Sequence, residues 1–341
     1  MKKSIIASIL LGTIIAGSSC EKALDVTPPG EFAPGNVLTT EQGIRSVLFS
    51  SYVAMQNPTP SRYLINNSEV TTDIGFNSGG AENLTLTQLI NFTWDASLGT
   101  FQADVWAPTY RAIRDANIVL ENIDGVNVNE QKRRMYAAEA RYLRAYAYEL
   151  LYKWFGPVPL RTTSTSEPAL ARATDAEMRA FISSELQAAI PDLPNPGSEE
   201  AFARANKGAA WAMLAKHYLN TKQWDKAAEA AKAVMDFGYY ELFPAYEKMF
   251  EVANEGNREM IVVQPCRNEV DFGNWYTAGA LPPNFKTSTQ LPEFVWTASM
   301  ANFATNYRMR SDFALSMDTV NDRRSILLLR HYINTSGAHV D

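Results

Sequence analysis

The sequence predicts a mainly α-helical fold, a scaffold of antiparallel helix pairs that carries irregular ligand-face loops and minor β structure. Three observations predict it. Between residues 101 and 237 apolar side chains recur at spacings of three, four and seven, the period of helices with one buried face. Trp211, Leu214, Ala215, Tyr218, Ala227, Ala231 and Val234 fall in the register of a tetratricopeptide-like repeat. In such a repeat large residues fill the groove between two helices and small ones let the backbones approach. Residues 61–99 and 265–310 are rich in Asn, Thr, Gly, Pro and aromatics without a clean period. Long irregular stretches in a compact domain usually carry function.

The first element is not part of the fold. Met1-Lys2-Lys3 is followed by an uncharged apolar run over residues 4–17 and by Ser18-Ser19-Cys20. A basic start, a short apolar run and small residues form an export signal, and the run is shorter than the ~20 residues that cross a bilayer. Cys20 stands where bacterial lipoproteins are cut and acylated, although Gly17 occupies a position where an aliphatic residue is usual. The competing reading is an ordinary secretory signal with an incidental cysteine. The expected organisation is a signal peptide over 1–19, a lipidated Cys20 with its tether over 20–38, and one domain over 39–341. Two or more acyl chains, palmitate among them, would anchor the protein firmly, at ~0.8 kcal/mol per buried methylene.

Within the domain, residues 39–55 read as a helix, with Ile44, Val47, Leu48, Val53 and Met55 at helical spacing and Thr39 or Thr40 as its cap. Asn57-Pro58-Thr59-Pro60 stops it. Residues 61–99 form the expected ligand loop, with short helical pieces. The helical period returns at Phe101, either as one helix or as a broken pair reaching Ile123; Pro108 lies in its first turn, where proline is tolerated, and Gly125 lies just past its end. Residues 129–155 are the strongest helix, Ala-rich, with Tyr136, Leu143, Tyr146, Leu150 and Trp154 along one side. Residues 174–193 make another, with acids in the first turn. Residues 206–220 and 224–237 form the repeat hairpin, so repeat-like helices span 101–245. One repeat cannot bury its own apolar face, so the preceding helices are expected to stack on it. Residues 260–264 read as a short strand, inside an irregular ligand-face segment over 246–341.

Composition narrows the function. Apolar residues make up 46% of the chain, enough for a sizeable core. A net charge of −6 without a basic tract argues against nucleic acid, whose phosphates need clustered cations. Three histidines and two cysteines make a zinc site or a disulfide framework improbable, and no metal or other cofactor is expected. Arg133, Arg134, Arg141 and Arg144 read as a solvated or ion-paired face, and Cys266 as a buried small hydrophobe. No G-x-S-x-G, H-E-x-x-H, Walker loop or G-x-G-x-x-G is present. Nothing singles out the carboxylate pair a glycosidase needs, so no enzyme activity is expected.

Four features together resemble the RagB/SusD family of outer-membrane nutrient-uptake lipoproteins. They are Cys20 followed by Leu24-Asp25 and Pro28; Trp106-x-x-x-Tyr110-x-x-Ile113-x-x-Ala116-Asn117; Ala138-Glu139-Ala140-Arg141-Tyr142-Leu143-Arg144-Ala145-Tyr146, running on to Trp154-Phe155-Gly156-Pro157-Val158-Pro159-Leu160; and the hairpin that starts at Ala205-Asn206-Lys207-Gly208-Ala209-Ala210. The resemblance implies a scaffold of four repeat-like helix pairs, an oligosaccharide or peptide ligand, and a SusC-like TonB-dependent outer-membrane transporter as partner. It also implies lipid anchoring in the outer membrane, facing the cell exterior. Family members are usually much longer, so the chain is expected to be truncated at its C-terminal end.

A neutral-glycan site needs flat aromatics for the apolar faces of sugar rings and amides or acids for their hydroxyls. Two irregular segments offer that composition and supply the candidate ligand residues: Phe76 and Asn77 in one, Trp275, Tyr276 and Trp296 in the other. Core packing is the competing reading for each of them. Trp94, Trp106, Trp154 and Trp211 sit in scaffold motifs and read as structural. Three functions compete: a surface glycan-binding lipoprotein that delivers its ligand to a transporter, a helical-repeat adaptor whose ligand is the transporter alone, and a secreted hydrolase.

Overall fold

The computed structural model describes residues 37–55, 67–77, 83–99, 101–165, 167–266, 281–292, 294–298, 307–318, 320–322, 324–325 and 328–341. Cys20, Trp275 and Tyr276 lie outside these described residues, as do the signal and most of the tether. Among the described residues no helix is long and apolar enough to cross a membrane.

Six helices stack in chain order. Helix α1, Glu41–Met55, starts where Thr40 Oγ1 accepts the Gly43 N–H at 3.1 Å. Its Ile44, Leu48 and Tyr52, four residues apart, are buried on the face it packs against α3, Ala107–Asn122. Short helix α2, Asn83–Ile90, lies between them in the chain. Before α3 the chain makes a π-helical turn, Phe101–Trp106, and Pro108 sits in the first α-helical turn, so the helix is broken rather than continuous. A 3-10 turn, Ile123–Gly125, ends it, and Gly125 does not adopt the left-handed conformation of a glycine cap.

Helix α4, Glu130–Phe155, is capped by Asn129, whose side chain accepts the Lys132 N–H at 2.9 Å. It packs against α1, α3, α5 and α6, so it is buried on more sides than the stripe from Tyr136 to Trp154 predicts. Tyr142, Ala145, Tyr148 and Glu149 are buried too, while Tyr146, Leu150 and Trp154 are only half-buried. Helix α5, Asp175–Ala189, opens with a reciprocal capping box: Thr174 Oγ1 accepts the Glu177 N–H at 3.2 Å, and the Glu177 carboxylate accepts the Thr174 N–H at 2.7 Å. Thr174→Ala is expected to lower stability by about 1 kcal/mol, read as a shift in urea midpoint.

Helices α6, Lys207–Asn220, and α7, Trp224–Asp236, form the repeat hairpin. Leu214, Tyr218, Ala227 and Val234 are buried in it as their register predicts, but Ala231 is exposed and Ala230 takes the buried position beside Ala227. Helix pairs α1/α3, α4/α5 and α6/α7 share one continuous core.

The repeated Glu and Arg of the Ala138–Tyr146 motif are explained by ion pairs that tie this stack together. Glu139, 1% exposed, accepts from the Tyr52 hydroxyl at 2.8 Å and pairs with Arg204. Arg144 pairs with Glu185 and donates to the Asn117 side chain at 2.7 Å, while Asn117 donates to the Arg161 carbonyl. Arg133, Arg134 and Arg141 are ion-paired at the surface, as expected, but Arg144 is buried.

The β structure is minor. Strand β1, Gly75–Asn77, pairs antiparallel with β3, Tyr307–Met309. Strands β2, Phe285–Thr287, β4, Tyr332–Asn334, and β5, His339–Val340, form a second sheet in the order β2-β4-β5. Residues 260–264 are not a strand: they make no ladder among the described residues. Cys266 is exposed rather than buried, because it follows this segment along the surface.

Candidate functional site

Helix α2 precedes the site in the chain. Its Leu86 and Leu89 close a small separate core with Val70, against which Ile90, Leu98 and Phe101 pack. The helix then ends in an unusual way. The Thr93 N–H reaches the Gln88 carbonyl at 2.9 Å and the Phe92 N–H reaches the Leu89 carbonyl at 3.2 Å. This is a Schellman turn, whose left-handed residue is ordinarily glycine. Here that residue is Phe92, with φ at +54°, and a bulky side chain in this region is strained by ~1–2 kcal/mol. The turn aims the Phe92 ring outward, 65% exposed, and sets it 5.4 Å from the ring of Trp94, itself 38% exposed.

Beyond Trp94 lies an open groove of about 490 Å³, walled by Trp94, Leu98, Phe101, Trp106 and Phe155, with Asp95 and Gln102 at its polar edges. The rings hold each other in place. Trp106 meets Phe155 edge-on at 5.1 Å, and Phe101 lies 5.8 Å from Trp154. Asp95 accepts both the backbone N–H and the hydroxyl of Ser97, which holds its carboxyl below the usual range and leaves it a charged acceptor. On the far side of Trp106 a second hollow of about 330 Å³ runs past Tyr110, Arg114, Asn117 and Arg161. Burial pushes the Tyr110 phenol up to about 12; its hydroxyl stays protonated at neutral pH and donates to the Pro159 carbonyl at 2.8 Å.

Flat apolar faces flanked by a carboxylate and an amide suit a ligand with apolar C–H faces and hydroxyl edges. Nothing in the groove is a general acid–base pair. Among the described residues no group of three or more His, Cys, Asp or Glu side chains is placed to hold a metal ion.

The residues singled out from the sequence fall in three places. Phe76 and Asn77 are on β1, half-buried and beside α2, and they do not line the groove. Trp296 packs against Phe285 and Leu281 in the core of the second sheet, and its N–H bonds the Lys286 carbonyl at 2.8 Å. Trp275 and Tyr276 lie outside the described residues. Phe92, Phe101 and Gln102 carry no binding signal in the sequence, and Trp94 and Trp106 read there as scaffold. The available signal was a helix that ends on Ile90-Asn91-Phe92 with no glycine where the turn needs one.

A family model described as starch-binding, associating with the outer membrane (SusD-like), matches residues 24–219. The SusD-like protein P25 of Formosa agariphila is 25% identical over 85% of this chain and 57% of its own length. The starch-binding protein SusD of Bacteroides thetaiotaomicron is 27% identical over 78% of this chain and 51% of its own. The chain thus spans about half the length of the curated relatives it matches. Among solved structures, surface glycan-binding protein A of Bacteroides uniformis superposes with a TM-score of 0.71 at 20% identity, covering 88% of this chain and 65% of that one. A surface glycan-binding protein A of Bacteroides thetaiotaomicron, in complex with laminarihexaose, does so with a TM-score of 0.67 at 17% identity, covering 82% and 62%.

Proposed function

The chain belongs to the SusD-like family, and from that premise we propose that it is a non-enzymatic glycan-binding lipoprotein of the outer membrane. Its ligand is a neutral oligosaccharide, stacked on Trp94 and neighbouring rings of the groove with its hydroxyls on Asp95 and Gln102. The observation that carries this reading is the left-handed Phe92, a strained backbone held beside an exposed tryptophan at the mouth of an aromatic groove. Strain of this kind persists where the surroundings enforce it, and it collects at ligand sites.

Phe76, Asn77, Trp275, Tyr276 and Trp296 are its further candidate ligand contacts, each to be tested by substitution with alanine. Acylation of Cys20 holds the chain to the membrane, facing outward, and a SusC-like TonB-dependent transporter receives the ligand. The family description and the glycan-binding neighbours support this reading.

Calorimetry over laminari-, malto-, xylo- and manno-oligosaccharides tests it. At least one series is expected to bind, with affinity rising as the chain lengthens from two to six sugars. Absence of binding across all four series would refute glycan recognition.

A further inference from the structure

On another part of the stack, where α4 meets α6 and the segment after α7, lies a cleft of about 280 Å³ that the groove does not reach. Its walls are tyrosines. Tyr239 and Tyr240 lie edge-on at 5.2 Å and press on two glycines. A Cβ on Gly197 would meet the Tyr239 ring at 2.5 Å, and one on Gly208 would collide with the Tyr240 hydroxyl. Gly208 is therefore required where it opens α6, because any side chain there would displace the wall of the cleft.

Tyr142 is the telling residue. It is 3% exposed, it lines the cleft, and its hydroxyl makes no hydrogen bond among the described residues. Among the described residues the fully sealed side-chain polar atoms without partners lie elsewhere, on Arg45, Asn67, Arg133 and His217, so the Tyr142 hydroxyl keeps some accessible surface on a residue that lines the cleft. Buried hydroxyls are ordinarily bonded. Among the described residues the hydroxyl of Tyr146, also in the lining, has no partner, and the peptide groups of residues 261–263, in the lining too, make no hydrogen bonds. Residues with donors and acceptors to spare thus line the cleft.

Charge narrows what fits. The guanidinium in the lining is that of Arg204, already held by Glu139 and Glu200. Glu199, also in the lining, accepts from the Asn206 amide. Among the described lining residues no cation is left to receive an anionic ligand, while phenols, amides and a carboxylate edge suit hydroxyl groups. The volume is just under the ~300 Å³ at which small-molecule sites begin, enough for a single sugar ring.

We propose that this cleft is a second ligand site, separate from the aromatic groove, that takes one neutral sugar residue with a ring hydroxyl bonded to Tyr142. It does not depend on the groove being a glycan site.

The test uses the Trp94→Ala chain, to silence the groove, and four probes: the methyl glycosides of glucose, galactose and mannose, and N-acetylglucosamine. Titration by saturation-transfer NMR is expected to show at least one probe binding in the millimolar range and glucuronate failing to bind. Tyr142→Phe on the same background removes one unpartnered hydroxyl, so the fold should persist by near-UV circular dichroism. It is expected to weaken the bound probe about tenfold, and Tyr142→Phe in the parent chain, with Trp94 present, is expected to leave oligosaccharide binding to the groove unchanged. Tyr146→Phe, with its ring half-buried, is the second variant and is expected to weaken the same probe. Either no probe binding to the Trp94→Ala chain, or undiminished binding after both tyrosine changes, would overturn the site. Loss of groove binding alone would count only against the first function.

Discussion

Trp94→Ala is expected to weaken oligosaccharide binding by about thirtyfold, the ~2 kcal/mol typical of removing a central aromatic anchor, without unfolding the chain. The ring is 38% exposed and its neighbour in the structure is the still more exposed Phe92, so its loss leaves no cavity in a core. Phe92 gives the sharper experiment, because stability and affinity should move in opposite directions there. Its φ of +54° disfavours any side chain. Phe92→Gly removes strain of ~1–2 kcal/mol, partly offset by the ~0.4–1 kcal/mol that glycine's freer unfolded state costs. The net expectation is a small rise in urea midpoint together with weaker glycan binding. Phe92→Ala keeps the left-handed strain and loses the ring, so it should bind as weakly as the glycine variant and be less stable than it. If Phe92→Gly binds as well as the parent, the ring is not a ligand contact and the strain has another origin.

The same pair of residues shows where sequence reading stops. Helix existence was legible, because periodic apolar positions and caps are local. Thr174 with Glu177, Asn129 before Glu130 and Asn206 before Lys207 each announce a helix start within four residues of chain. The repeat hairpin was legible for the same reason, apart from the shift from Ala231 to Ala230, which only the facing helix decides. Exposure is not local. Nothing within a few residues of Trp94 distinguishes a ring in solvent from one under a loop, and Trp94 differs from Trp106 only in what the π-helical turn and Phe155 place over it. Cys266 fails alike: a thiol in an apolar context reads as core, but residues 260–264 pair with no strand among the described residues and leave it at the surface. The groove draws on residues 94–106 and on Phe155 at the end of α4, which are far apart in the chain.

The charges of the Ala138–Tyr146 motif carry the other large effect. Arg204→Met is expected to destabilise the chain by about 3–5 kcal/mol, the range for stripping one partner from a buried ion pair. Arg204 sits between α1, α4 and the start of α6: it pairs with Glu139, bonds Glu200, and lies over the rings of Phe49 at 5.5 Å and Tyr136 at 5.9 Å. Without it the Glu139 carboxylate, 1% exposed, keeps only the Tyr52 hydroxyl as a donor. The reverse change should be milder. Glu139→Met leaves Arg204 its pairing with Glu200, and Glu200 is partly open to water. The double variant, Glu139→Met with Arg204→Met, should recover most of the loss, since it removes both charges and fills the space with apolar atoms of similar size. Urea denaturation of the four chains measures this coupling directly. Equal losses for the two single variants, adding in the double, would mean that the two side chains act independently. The pair would then not be the clamp joining the first helix pair to the repeat hairpin.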